Sequence, residues 1–594
     1  MYKPLSIALL AALASPSWAA EDSTLSAVLV TATRNPQPLD QTLASAVVFD
    51  REAIIRSQAV DLVDLLRHSV GVEISRNGGP GGATSVFLRG ANSNQTLVLV
   101  DGVRVSSVTT GAAAWEQLPL DQVERVEIVR GPRAALWGSD AIGGVVQIFT
   151  RVPERASMRL SAGRYADYYA GAAIGGRSGA LTIGGSVGRR LFEGFSAQNP
   201  RGFGFNPDDD GYQSTDLSFA LDWQGSDSAV RLRSFSRDGD IEFDQGASES
   251  VNRGMSLSWR GSAGVWKPGA QLGWSIDNVD TPAFGSRFET DRWSLDLDVQ
   301  REIGTNQSIT LLTNLLSEKG LYNDAFGGDL IDEDRDAYAF AGLWEAQLGA
   351  HRLEAAARVD HYDGFGSEWS PRLGWSWQLT PQWRLISSVG EGFRAPNFNE
   401  LYFPGFGGQF AGNPSLDPEL SSGAEVRAEW RPGAQWRWSV SAYRNDVKDL
   451  IAFAGTEFAA INIARARLEG IELEGRWSNR QYWVQGSMAW QDPRNRDTDQ
   501  LLPRRAKRNA HVQAGWRLSE SLELGAEADY ASERFDFGTP LDSYSLLALT
   551  MDWRYASDWR VQLRADNLGD EDYELASGFN TPGRSLSISL RWGE

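Results

Sequence analysis

From about residue 155 to the C-terminus, apolar and polar positions alternate with a period of two. Phe219, Leu221 and Trp223 form one such run; Met255, Leu257 and Trp259 form another. The pattern continues through Leu295, Leu297 and Val299, then Trp436, Trp438 and Val440, then Trp559, Val561 and Leu563, and finally Leu586, Ile588 and Leu590. Ser, Arg, Asp, Gln or Thr fill the places between. Period two places alternate side chains on opposite faces of a strand, so each strand has one apolar and one polar face. A water-soluble sandwich also alternates, but this many strands with aromatics near their ends fits a membrane barrel with a lipid-facing exterior and a wet lumen. At roughly 20 residues per strand with its share of loop, residues 151–594 accommodate about 22 strands.

The first 150 residues have a different texture. Ile54 to Ser69 carries Val60, Leu62, Val63, Leu65 and Leu66 at helical spacing and predicts one helix. Short strands are predicted at Gly71 to Ile74, Leu97 to Val100, Val103 to Val105, Val126 to Val129 and Val145 to Phe149. Asp101-Gly102, Gly131-Pro132 and Gly138, Gly143 and Gly144 act as turns between them. Pro119 to Gln122 has helix-start chemistry. This region predicts a small glycine-rich α+β domain. At the start, Lys3, the apolar run Ile7 to Ala14 and Ser17-Trp18-Ala19 predict a secretory signal over residues 1–20.

Composition narrows the chemistry. The 594 residues include no cysteine, so there is no disulfide framework and no thiolate site. Four histidines, at 68, 351, 361 and 511, show no HExxH or helical HxxxH spacing, which argues against a histidine-based zinc enzyme; His68 reads as a plain polar residue near a helix end. The formal net charge of -20 argues against a nucleic-acid partner bound through its phosphates. No run approaches the ~20 apolar residues of a spanning helix. No P-loop occurs and nothing resembles a catalytic constellation, so no enzymatic activity is expected.

Two long strings, LRGANSNQTLVLVDGVRV from Leu88 and VERVEIVRGPRAALWGSDAIGGVVQIFT from Val123, resemble the plug domain of TonB-dependent outer-membrane receptors. The segments Gly390 to Leu401, Gly412 to Glu419, Tyr443 to Val447, Asn462 to Glu472 and Asp566 to Tyr573 resemble the barrel of the same family. The resemblance implies an all-β transmembrane barrel of about 22 antiparallel strands with an N-terminal α+β plug in its lumen. The expected organisation is a signal peptide at 1–20, a box and linker at 21–38, the plug at 39–152 and the barrel at 153–594. It implies a place in the outer membrane of a Gram-negative bacterium, as a monomer among outer-membrane lipid. One departure is the end of the chain, where Gly593-Glu594 follows Trp592, whereas family barrels usually end on an aromatic residue.

By position, Val28, Leu29, Val30, Thr31 and Ala32 resemble the TonB box, an extended segment offered to the periplasmic partner TonB as an added strand. The resemblance also implies plug anchoring: Arg89 and Arg130, which open the two RG motifs, are expected to meet Glu425 and Glu472 inside the lumen. Bidentate pairing to carboxylates suits arginine's planar, permanently charged fork. Ligand is expected at two apical plug loops, through Asn77, Gly78 and Gly79 in the first and Ser106, Ser107 and Trp115 in the second. Their small, uncharged character suits a large, near-neutral ligand. Within the family the likeness is greatest to the cobalamin transporters. Asp208, Asp210, Asp238, Asp240 and Asp244 then resemble acidic loop positions that bind calcium, a cation that takes oxygen-rich shells. Active cobalamin import is therefore expected, with a ferric-siderophore or haem receptor as the runner-up and a passive porin as the alternative of another class.

Overall fold

The computed structural model describes residues 29–30, 37–325, 327–405, 409–454 and 458–594. The expected signal peptide, together with Val28, Thr31 and Ala32 of the box, lies outside the described residues.

The N-terminal domain is the expected α+β unit. In chain order it holds β1 (Leu29–Val30), β2 (Gln37–Pro38), β3 (Ala46–Asp50), α1 (Arg51–Ser57), α2 (Leu62–Arg67), β4 (Val72–Arg76), β5 (Thr84–Leu88), β6 (Thr96–Val100), β7 (Val103–Arg104), β8 (Val123–Arg130), α3 (Ala134–Trp137) and β9 (Gly144–Thr150). Five of the strands form one mixed sheet in the order β3-β8-β9-β6-β7, while β4 and β5 form a separate hairpin. The sheet interior is continuous with α2: Leu62, Leu65 and Leu66 pack with Val98, Val126, Ile128 and Ile148, all at most 1% exposed.

The single helix expected over Ile54 to Ser69 is instead two. Gln58 closes α1 in the left-handed region at φ 52°, and Asp61 opens α2 by accepting from the Asp64 N–H. A left-handed cap is normally glycine, so the break has no strong marker in the sequence. The Gln58 side chain donates to the Met551 carbonyl of the barrel at 3.0 Å, which helps hold the chain at the break.

Twenty-two antiparallel strands close around this domain, the first (Ser157–Gly163) pairing with the last (Ser585–Trp592). The alternation has a physical cause. Leu217, Phe219, Leu257, Leu297, Val440 and Leu586 point outward and are 43–63% exposed, a surface that suits lipid, while Ser214, Asp216, Arg237 and Arg292 on the other face are buried against lumen and plug. Trp223, Trp259, Trp383, Trp430, Trp516 and Trp553 lie outward at the strand ends joined by short turns, forming an aromatic girdle on the periplasmic side. The opposite rim carries the longer loops, including 196–209, 395–418, 492–507 and 567–584. At the periplasmic rim, Trp592 pairs with Met158 and Trp559, and the Glu594 carboxylate accepts from Arg51 of the plug at 2.8 Å and from Arg151 and Arg591.

Candidate functional site

Plug and barrel meet through buried charge. Arg89 follows β5 in the left-handed region at φ 53°, which turns its side chain toward the wall. Its Nε and Nη2 donate to the two oxygens of Glu472 at 2.9 and 2.7 Å, and Nη2 also reaches Glu425 at 2.9 Å. The guanidinium lies 4.3 Å from the centre of the Tyr443 ring, and Gly71 leaves room for Glu472, because a Cβ there would collide with its Oε1. Arg130, fully buried at the end of β8, sits 3.4 Å from Glu472, donates to the Val70 carbonyl at 3.0 Å and contacts Glu474 at 3.3 Å. The structure thus brings Arg89, Arg130, Glu425 and Glu472 together. It adds Glu474, Arg427 and Ser45: Arg427 donates to Glu474 at 2.8 Å, and the Ser45 hydroxyl donates to Glu425. Glu472, Glu474 and Arg427 share lumen-facing parity with their neighbours on adjacent strands, a signal present in the sequence.

A second buried triad lies nearer the extracellular rim. Arg394 binds both oxygens of Glu419 at 2.8 Å and both oxygens of Glu400 at 2.9 Å, and plug Gln95 donates to Glu419 at 2.7 Å. Two strings that the sequence analysis quoted without a role, Gly390 to Leu401 and Gly412 to Glu419, therefore meet in one ion cluster. The same barrel loop pairs with the plug apex, since the Phe398 and Asn399 N–H groups donate to the carbonyls of Val108 and Thr109 at 2.9 Å.

The first apical loop packs on the barrel wall, with Gly78 buried. Gly78 (φ 85°) and Gly81 (φ 86°) approach the barrel so closely that a Cβ would stand 2.7 Å from Ala197 in the first case and collide with the Tyr212 ring in the second. Asn77 and Gly79 are half-buried and Ala83 is exposed. The second loop needs correction. Trp115 is 0% exposed, packs in the plug core and donates to Ser93 Oγ at 3.3 Å. Ser106 and Ser107 are also buried; the Ser106 carbonyl accepts from Arg292 at 2.6 Å and Ser107 bonds Thr109 at 2.7 Å. The open apex is Thr110 to Ala112, between Ser107 and Trp115 in the same loop.

The five aspartates also divide. Asp238 and Asp240 stand on the outward face of their strand, Asp238 beside Arg253 at 3.3 Å and Asp240 accepting from Gln213 at 2.6 Å. Asp210 and Asp244 are buried on the other side, where they hold the 196–209 loop. Asp210 accepts from the Ala197 N–H at 2.6 Å; Asp244 accepts from Gln198 and Asn206 at 3.0 and 2.9 Å. One ion cannot take ligands from both faces of a strand. Of the expected set Asp208, Asp210 and Asp244 remain, and among the described residues their oxygens do not gather within reach of one ion.

Of the box, Leu29 and Val30 form β1, which pairs antiparallel with Gln37 and Pro38. Gln37 in turn accepts from Arg352 of the barrel at 2.8 Å. The segment is already an extended strand at the periplasmic rim, with the plug linker as its partner.

His68 and His511 were not expected to meet. Among the described residues they converge with Glu527 as a group of metal-ligating side chains, the imidazoles stacked with centroids 4.4 Å apart.

Comparison with known proteins agrees with this architecture. A family model for the TonB dependent receptor-like β-barrel matches residues 157–568, and one for the TonB-dependent receptor plug domain matches residues 38–145. The vitamin B12 transporter BtuB of Photobacterium profundum is 29% identical over 626 aligned residues, covering 98% of each chain. Among solved structures, a variant of the ferric enterobactin receptor PfeA of Pseudomonas aeruginosa superposes with a TM-score of 0.79 at 18% identity, over 95% of this chain and 100% of that one. The siderophore receptor PirA of Acinetobacter baumannii gives 0.80 at 18% identity, over 92% and 98% of the two chains. Likeness at these identities is a likeness of fold. The chain belongs to the TonB-dependent receptors: a plugged, 22-stranded barrel of the Gram-negative outer membrane, built for transport energised through TonB.

Proposed function

We propose that this receptor imports cobalamin or a related corrinoid. The observation that carries the reading is the 29% identity to a vitamin B12 transporter along 98% of both chains, plug and barrel alike. The plug apex supports it, because Asn77 to Gly82 and Thr110 to Ala112 offer amides and hydroxyls and no cation, a surface suited to a large, amide-rich, near-neutral ligand.

Ligand docks from outside on the plug apex and barrel mouth. Binding favours the state in which β1 leaves β2, and its exposed edge then accepts a strand from TonB. Coupling of this kind requires the ligand to bind the released state more tightly than the paired one. Force on the segment remodels the plug, and the receptor acts as a monomer. Calcium, through Asp208, Asp210 and Asp244, orders the 196–209 loop beside the docking surface.

The test is calorimetric binding of cyanocobalamin to the detergent-solubilised receptor, in calcium and then in chelator. Tight binding that weakens on chelation is the expected result. Binding indifferent to chelation removes the calcium site and keeps the ligand; no binding in either buffer overturns cobalamin and turns the search to ferric siderophores. Deleting residues 28–32 is expected to leave binding intact and abolish uptake, whereas persistent uptake identifies a passive pore.

A further inference from the structure

His68 and His511 are 443 positions apart in sequence, yet their rings stack with an interplanar angle of 18° across the seam between plug and barrel. His68 caps the C-terminus of α2, and His511 lies on the barrel strand Arg508–Arg517. His68 Nε2 is 3.0 Å from Glu527 Oε1, and its Nδ1 is 3.4 Å from the Gln513 amide nitrogen. His511 Nδ1 is 2.8 Å from Asp529, and its Nε2 is buried with no hydrogen-bond partner among the described residues. One ligand atom from each of His68, His511 and Glu527 lies within 4.8 Å of the others, and all three residues are buried.

One arginine serves two carboxylates beside the group. Arg564 donates to both oxygens of Glu527 at 3.3 and 3.4 Å and through Nε to Asp566 at 2.7 Å; Arg67 lies 3.7 Å from Asp64. Glu527 shares that one guanidinium with Asp566 and also faces His68, while Asp529 faces His511. Buried charge of this kind is costly unless compensated. Two protons would place two stacked imidazolium cations 4.4 Å apart and leave the His511 Nε2–H without an acceptor. One divalent cation compensates both carboxylates and takes up the idle nitrogen lone pair.

We propose that His68, His511 and Glu527 form a binding site for a divalent transition-metal ion of the zinc class, which pins plug helix α2 to the barrel wall. Two imidazole nitrogens and one carboxylate oxygen are a ligand set that zinc accepts, with a fourth position left for water. Asp529 on His511 Nδ1 supplies the carboxylate behind a metal-bound imidazole that fixes the tautomer with the other nitrogen free to ligate. Loading replaces the hydrogen bond from His68 to Glu527 by two bonds to one ion, while His511 offers Nε2 and keeps Nδ1 on Asp529. A cavity of about 40 Å³ lined by Arg67, Glu73, His511, Asp529, Arg534 and Tyr544 adjoins the site and gives an ion access. The occupied site joins plug to wall and therefore resists the plug movement that transport requires.

The full-length receptor, stripped with chelator, is titrated with Co²⁺ followed by its visible absorption, and with Zn²⁺ by calorimetry. One equivalent with the intense absorption of tetrahedral cobalt is expected. Binding should be lost in His511→Ala and Glu527→Gln, weakened about 10- to 100-fold in Asp529→Asn, and unchanged in His351→Ala. Heat-modified electrophoretic mobility establishes that each variant is a folded barrel, and His68→Gln, which changes only the plug, serves should a barrel variant fail to fold. Uptake of protons without cobalt or zinc overturns the site, as does cobalt binding that survives both His511→Ala and His68→Gln.

Discussion

Arg89 of the plug and Glu472 of the barrel wall form a two-pronged ion pair, with Nε and Nη2 at 2.9 and 2.7 Å from the two carboxylate oxygens. The pair spans 383 residues of sequence and is almost wholly removed from solvent, with side-chain exposures of 4% and 0%. Removing Arg89 takes the arginine from Glu425 and leaves buried Glu472 with Arg130 alone, at 3.4 Å, which costs more than the pair itself contributes. Arg89→Ala should therefore weaken plug seating by about 3–5 kcal/mol. Leak of small hydrophilic solutes through receptor-loaded liposomes measures it; a leak equal to wild type contradicts an anchoring role. Arg89→Lys should fall between the two, since an ammonium cannot bridge both oxygens.

Trp115 is a core residue and not a ligand contact. Trp115→Ala is expected to cost the plug about 3–5 kcal/mol, seen as faster proteolysis of the plug in the folded receptor. Ligand affinity measured on the remaining intact receptor should change less than it does for Thr110→Trp, which obstructs the open apex.

Gly81 approaches Tyr212 in a backbone conformation that L-residues rarely adopt, at φ 86°. Gly81→Ala should push the first apical loop off the barrel wall and weaken ligand binding about tenfold, equivalent to about 1.4 kcal/mol. Calorimetry with cyanocobalamin reads the change directly, and unchanged affinity would remove this loop from the binding surface.

Glu116 carries a carboxylate oxygen, Oε2, that is buried without a partner among the described residues, and burial pushes its pKa up to about 8. The folded plug holds this proton to higher pH than the unfolded chain does. The group's stability contribution is thus full below the ordinary carboxylate range and is lost as pH rises through about 8. Glu116→Gln, isosteric and without charge, should match wild type at pH 4 and exceed it by about 2–3 kcal/mol at pH 7. Urea denaturation of the plug at the two pH values checks it. A gap that shrinks toward neutral pH is the contrary result.

Part of the site was legible because it follows strand parity. Asp238 and Asp240 alternate with Arg237 and Gly239 and so stand on the face opposite the lumen, a parity signal that the expected calcium set, which included both, did not use. Glu474 lies two residues beyond Glu472 on one strand, and the same parity places both before Arg130. The division of α1 from α2 was not legible, because Gln58 takes a glycine-like conformation that is compensated by a hydrogen bond to Met551, a distant residue.

What the sequence determined by itself was the membrane barrel and the plug. Lipid outside and water inside impose a period of two on every strand, and glycine punctuates the plug wherever its backbone must turn. Local chemistry sets both. Only the tertiary structure decided which charges are paired and which polar residues are sealed in the core. Those depend on closing a ring of 22 strands around a separately folded plug. Closure is what places Arg89 against Glu472, turns Trp115 inward, and stacks His68 on His511 although 443 positions separate them in sequence.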